Sequence, residues 1–196
     1  MADHIFPVNS LVSTNDREKL LKQRSIVIWL TGLSGSGKST LGKALEKKLL
    51  EDGHAAYLLD GDSLRTGLNK DLGFSINDRN ENIRRAGEVC KLFADAGLIV
   101  ITAFISPLLS QRNSIREKFE NGKFVEVYVK ASLETCEKRD VKSLYKKARA
   151  GEIKDFTGVD SPYEEPVSPE IIIDTDQLSG KDAIEILYNE VKRRIR

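Results

Sequence analysis

Nine residues, Gly32 to Thr40, read GLSGSGKST and follow, one residue on, the apolar run Ile26-Val-Ile-Trp-Leu30. Gly32, Gly37, Lys38 and Ser39 stand in the fixed places of G-x-x-x-x-G-K-[ST]. No other feature limits the fold so strongly, because the pattern needs a strand before it and a helix after it. The glycines let the backbone turn so that successive N–H groups converge, and the following helix aims the positive end of its dipole at the same point. A site of this kind takes phosphate. Gly32, Leu33, Ser34, Gly35, Ser36, Gly37, Lys38, Ser39 and Thr40 are expected to wrap the phosphates of a nucleotide, with Lys38 on the β- and γ-phosphates and Ser39 on magnesium.

The rest of the chain alternates apolar runs with helical patterns, which predicts βαβ units and a mostly parallel sheet. Strands are expected at about 26–31, 55–60, 98–104, 124–129 and 170–174. Leu98-Ile-Val-Ile and Ile171-Ile-Ile are continuously apolar, as strands covered on both faces are. Helices are expected after the glycine loop as far as Gly53, from about Asn80 to Ala96, after Ser106-Pro107 with Ser106 as cap, and over roughly 180–194. The expectation is an α/β three-layer fold with five strands, helices on both faces, and one domain over 25–196. Residues 1–24 read as an arm or short helix outside the sheet. The segment at about 143–168 is rich in Lys, Gly, Asp and Pro with little apolar periodicity after Ala150, and so long a loop is usually functional or disordered.

In 196 residues, 31 Lys and Arg balance 30 Asp and Glu, so a nucleic-acid coat or an anionic membrane is not expected as partner. Seven basic and two acidic residues between Lys138 and Lys154 form a local exception beside the phosphate loop. Cys90 and Cys136 give neither a disulfide framework nor metal spacing, and are expected to be buried, inert thiols. His4 and His54 lie far apart, so no protein-bound metal is expected and magnesium should arrive with the nucleotide. The opening Met-Ala-Asp-His is not a basic, apolar leader, and no apolar stretch approaches a membrane span; the expected location is cytoplasmic.

A phosphate loop of this kind also needs a carboxylate for magnesium and, if the chain is a kinase, a group that steers or deprotonates the acceptor hydroxyl. Tyr57-Leu-Leu-Asp60-Gly61-Asp62 places two acids at a strand end, where open α/β sheets bind ligands. The Leu98 strand ends in Thr102-Ala103-Phe104 and supplies none, so the burden falls on Asp60 and Asp62 together. Asp174 and Asp176 read as turn and cap residues. Arg65, Arg79, Arg84 and Arg85 crowd around Phe74 and Asn82, a grouping suited to an anion and a stacked base. A GTPase would carry [NT]-K-x-D, and Asn69-Lys70-Asp71-Leu72 fails at its last place. A motor ATPase would show a sensor or partner-arginine motif, and none is evident.

Five stretches together resemble the adenylylsulfate kinases: IWLTGLSGSGKST, LLDGDSLRTGLNKDLGFS, DRNENIRRAGEVCKLFADAG, FISP (Phe104 to Pro107) and RDVKSLYKKARAGEIKDFTGVDSPYE. The chain departs from that family at Ser63, where Asn is usual, and in an arm without the Trp-His pair many members carry. The resemblance implies phosphorylation of adenosine 5'-phosphosulfate at its 3'-hydroxyl by ATP. Asp62, which meets the 3'-hydroxyl, and Lys38 are then catalytic, Ser39 and Asp60 hold magnesium, and Arg65, Phe74, Arg79, Asn82, Ile105, Ser106, Lys142 and Phe156 hold the acceptor, with Phe74 and Phe156 sandwiching its adenine and the segment at about 142–168 closing as a lid. It makes Ser106 a candidate phosphoserine, although direct in-line transfer needs no such step; a homodimer and a functional association with a sulfate adenylyltransferase are compatible with it, and the sequence decides neither. A nucleoside monophosphate or sugar kinase would share the loop and lid but not LGFS and DRNENIRR.

Overall fold

The computed structural model describes residues 10–140 and 142–196. His4 and the first part of the arm lie outside the described residues. Five strands, β1 (Val27–Thr31), β2 (Ala56–Asp60), β3 (Ile99–Ala103), β4 (Phe124–Lys130) and β5 (Ile171–Asp174), form one sheet in the order β2-β3-β1-β4-β5. Every pairing is parallel, so "mostly parallel" becomes fully parallel.

Side-chain alternation divides the core into two layers. Ile26, Ile28 and Leu30 face one way, packing with Leu41, Leu45 and Leu49 of α2 (Lys38–Glu51) and Leu187 and Val191 of α8 (Gly180–Arg194). Val27 and Trp29 face the other, against Ile83, Ala86 and Cys90 of α4 (Ile76–Asp95) and Ile115 of α5 (Leu109–Arg116). Central β1 and β3 are buried on both faces. The edge strands are not: Ile172 of β5 is 57% exposed and Tyr57 of β2 is 49% exposed. Continuous apolar sequence therefore overstated the cover on β5, which has a neighbour on one side only.

Several helix boundaries also differ from expectation. Ser75 caps α4 by accepting from Asp78 N, so this helix starts four residues before Asn80. Ser106 caps nothing: its φ is +39°, and the helix begins three residues on, at Leu109. The arm does contain a short helix, α1 (Thr14–Leu21), closed by a Ser13/Asp16 capping box. Glu18 accepts from Ser25 N and Oγ, and Gln23 Nε2 donates to the carbonyls of Ala55 and Gly97, so the arm is bonded to the strand-entry end of the sheet. Three short helices, α3 (Gly61–Thr66), α6 (Leu133–Arg139) and α7 (Leu144–Arg149), line the opposite end. Cys90 and Cys136 are buried as expected, and burial pushes the Cys90 thiol up to about 12.

Candidate active site

All five strands deliver their C-terminal ends to one side, and β1 lies where the strand order reverses, the position at which open α/β sheets bind ligands. The turn after β1 is the glycine loop. Gly32 has φ +149°, and a Cβ there would stand 2.4 Å from the carbonyl oxygen of Val129; Gly37 has φ +104°. Side chains are excluded at the first and strained at the second, which explains both glycines.

Lys38 is buried, and its ammonium donates to the carbonyls of Gly32 at 2.9 Å and Leu33 at 2.7 Å. Burial lowers it from an ordinary 10.5 to about 8. Ser39 Oγ donates to Asp60 Oδ2 at 2.7 Å, and Asp60 Oδ1 accepts from Asp62 N at 3.0 Å. Asp60 thus caps α3 while facing Ser39, and the short helix sets Asp62 two residues beyond. Lys142 reaches across from the far segment to form an ion pair with Asp62.

Three residues not anticipated for the loop brace it. Arg139 donates to Thr175 O at 2.8 Å, to Thr175 Oγ1 at 3.0 Å and to Gly35 O at 3.4 Å. Thr175 Oγ1 bonds Ser36 O at 3.1 Å, and Tyr145 OH donates to Ser34 O at 2.9 Å. Arg139 was visible in sequence only as one of many basic residues, and Thr175 sat between two acids that drew more notice. Asp176 accepts from Ser132 N, and Asp174 from Asp176 N, so these two acids do serve turns.

On the other side of Asp62, the Arg65 guanidinium lies 4.4 Å over the Phe74 ring and donates to Gly73 O. Burial, then the charge of Arg79, lowers Arg65, so two cations share this corner. Arg79 donates to Asp155 O, Thr157 Oγ1 and Phe74 O, tying the Phe74 loop to the far segment. Asn82 is buried and its Oδ1 accepts from Asn69 at 2.9 Å. Arg84 and Arg85 are elsewhere engaged: Arg84 pairs with Glu81, and Arg85 with Glu81 and Asp71, as surface pairs do. Phe74 is 64% exposed, whereas Phe156 is buried edge-on against Tyr145 at 5.0 Å. Phe156 belongs here to a small apolar cluster with Cys136, Tyr145 and Ala148 rather than to an open aromatic sandwich.

The turn after β3 carries Ile105 and Ser106. Ser106 is 2% exposed, and its left-handed backbone costs about 1–2 kcal/mol for a residue with a side chain. A hydrogen-bond chain holds it: Trp29 Nε1 donates to Ser106 Oγ, Ser106 Oγ to Thr31 Oγ1, and Thr31 Oγ1 to Ile105 O. Among the described residues no helix is long and apolar enough to cross a membrane.

A parallel sheet with the phosphate loop at its switch point, a strand-end acid beside the loop serine and a second acid facing a basic segment defines a nucleotide-using P-loop kinase. A family model described as adenylylsulphate kinase matches residues 24–174. An adenylyl-sulfate kinase of Staphylococcus carnosus is 59% identical over 177 residues, covering 90% of this chain and 89% of that one. A probable adenylyl-sulfate kinase of Halalkalibacterium halodurans is 58% identical over 185 residues, 94% of this chain and 92% of its own. The Mycobacterium tuberculosis APS kinase in complex with AMPPNP and APS superimposes with a TM-score of 0.80 at 46% identity, over 86% of this chain and 98% of that one. The chain belongs to the adenylylsulphate kinase family.

Proposed function

We propose that the chain transfers the γ-phosphoryl group of ATP to the 3'-hydroxyl of adenosine 5'-phosphosulfate, giving 3'-phosphoadenylylsulfate and ADP for sulfate assimilation. One observation carries the reading: the Ser39 to Asp60 contact joins the phosphate loop to the strand end that bears Asp62. Donor and acceptor groups thus meet within one short element.

In this reading the loop amides and Lys38 hold the β- and γ-phosphates, which take over the contacts Lys38 makes with the Gly32 and Leu33 carbonyls. Ser39 and Asp60 offer the hard oxygen donors that magnesium takes alongside nucleotide phosphates, so they fit that ion. Bound with ATP, magnesium supplies neutralisation of phosphate charge. Asp62 orients the 3'-hydroxyl and takes its proton as the oxygen bonds to the γ-phosphorus and the bond to the β,γ-bridging oxygen breaks, releasing ADP. Arg65 and Arg79 meet the phosphosulfate, Phe74 stacks on the acceptor base, and Asn82, Ile105 and Ser106 complete the acceptor side. Closure of the 142–168 segment brings Lys142 and Phe156 onto the acceptor and excludes water. For Phe156 this requires leaving its contact with Tyr145.

The free, buried thiols support work in the cytoplasm. A homodimer and an association with a sulfate adenylyltransferase are both compatible with this reading, and sedimentation of the chain with and without that enzyme tests both. The function itself is tested by offering magnesium-ATP with adenylylsulfate, AMP, gluconate or GTP. The reading expects transfer to adenylylsulfate alone, and brisk transfer to another acceptor in its place defeats it.

A further inference from the structure

Arg112 lies on α5 and is 1% exposed. Its guanidinium, a rigid fork of N–H donors, reaches three separate segments. Nε donates to Glu126 Oε1 on β4 at 2.7 Å, Nη1 to Ser106 O at 2.6 Å and Nη2 to Glu164 O at 2.7 Å. The last two segments are also joined directly. Glu164 N donates to Pro107 O at 2.8 Å, Leu109 N to Glu164 Oε2 at 2.6 Å, and Tyr163 OH lies 3.0 Å from Thr31 Oγ1.

A buried cation persists only where it is paired and hydrogen-bonded, and apolar residues of similar volume often stabilise as well or better. Arg112 is therefore not explained by stability alone. Two of its three contacts are main-chain carbonyls: one belongs to the left-handed residue of the acceptor turn, the other to the C-terminal root of the 142–168 segment.

We propose that Arg112 is a positioning residue for the acceptor. It holds the Ile105–Ser106 turn and the Tyr163–Glu164 root as one body, so that the segment closes onto an acceptor already seated against Ile105. The inference rests on the functional reading above. The hydrogen bonds of Arg112 go to Glu126, Ser106 and Glu164 and none to Gly32–Thr40, so the proposal assigns it no part in holding the donor.

The test compares the unaltered chain with Arg112→Lys, Arg112→Met and the double variant Arg112→Met/Glu126→Gln. The readouts are KM for adenylylsulfate, Kd for magnesium-ATP, the ratio of transfer to acceptor-independent ATP hydrolysis, and the thermal midpoint. Arg112→Lys keeps the charge but loses the fork, and KM should rise about tenfold or more with a lower transfer ratio and an unchanged Kd for ATP. The double variant should recover part of the midpoint lost in Arg112→Met but not the KM: it removes the charge on Glu126, which Arg116 alone would still pair at 3.2 Å, without restoring the two carbonyl contacts. Recovery of both KM and transfer ratio in the double variant overturns the proposal, as does an unchanged KM in Arg112→Lys. The two readings fail differently: no transfer to adenylylsulfate by the unaltered chain defeats the functional one, and acceptor KM equal in all folded variants defeats this one.

Discussion

Lys142 and Asp62 form an ion pair that joins the basic segment to the acid expected to meet the acceptor hydroxyl. Both side chains are more than half exposed, so the pair adds only about 0–1 kcal/mol to stability. Lys142→Met should shift the thermal midpoint by less than about 4 °C. The same change should raise KM for adenylylsulfate about tenfold, since a charge-assisted contact with the acceptor is lost. Steady-state kinetics beside calorimetry separates the two effects, and a large midpoint shift with unchanged KM contradicts the assignment.

Asp62→Asn keeps the shape of the side chain but removes the proton acceptor. Turnover should fall about 10²- to 10⁴-fold, as for the loss of a general base. ATP affinity should change little, because Asp62 makes no bond to the glycine loop. Equal losses in turnover and in ATP affinity would place Asp62 with the donor instead.

Much of this architecture could be read from residues, and the failures share a cause. The five strands were visible because a parallel sheet covered by helices needs unbroken apolar runs, and the phosphate loop because Gly32 and Gly37 take backbone positions that side chains forbid or strain. The two acids after β2 followed from the same strand-end logic. What stayed hidden depends on neighbours that are distant in sequence. Nothing in Ser106-Pro107 separates a helix cap from a left-handed turn held by Trp29 and Thr31. Arg112 reads as one more surface arginine until Ser106, Glu126 and Glu164 surround it.

Lys38 gives a pH signature. Its ammonium loses the proton near 8 in the folded chain and near 10.5 when unfolded, because burial disfavours the charge. Between these values the unfolded chain binds more protons, so the stability associated with this position rises with pH; below about 8 the full cost of burial is present. Lys38→Met should therefore stabilise the protein at pH 7, by an amount on the order of 3 kcal/mol at most, and the advantage should shrink as pH passes from 8 to 10. ATP binding should weaken above pH 8 in the unaltered chain alone. Denaturation and titration calorimetry across this range check both, and a pH-independent difference between the two proteins contradicts the account.

Ser106→Ala tests whether the hydroxyl carries phosphate or holds a turn. Its Oγ is buried and already placed between Trp29 and Thr31. Removing it leaves Trp29 Nε1 without this acceptor, at a cost of about 1–3 kcal/mol. Turnover should stay within about tenfold of the original, the size expected for a lost contact rather than a lost nucleophile. Trapping a labelled phosphoserine together with loss of nearly all turnover would establish the covalent route.

The most direct measurement follows the label of [γ-³²P]ATP into product and locates it by degradation or NMR. The account predicts that the phosphoryl group appears on the 3'-oxygen of adenylylsulfate, with one ADP formed for each group transferred. Label found only in inorganic phosphate, or on the hydroxyl of a different acceptor, would contradict it.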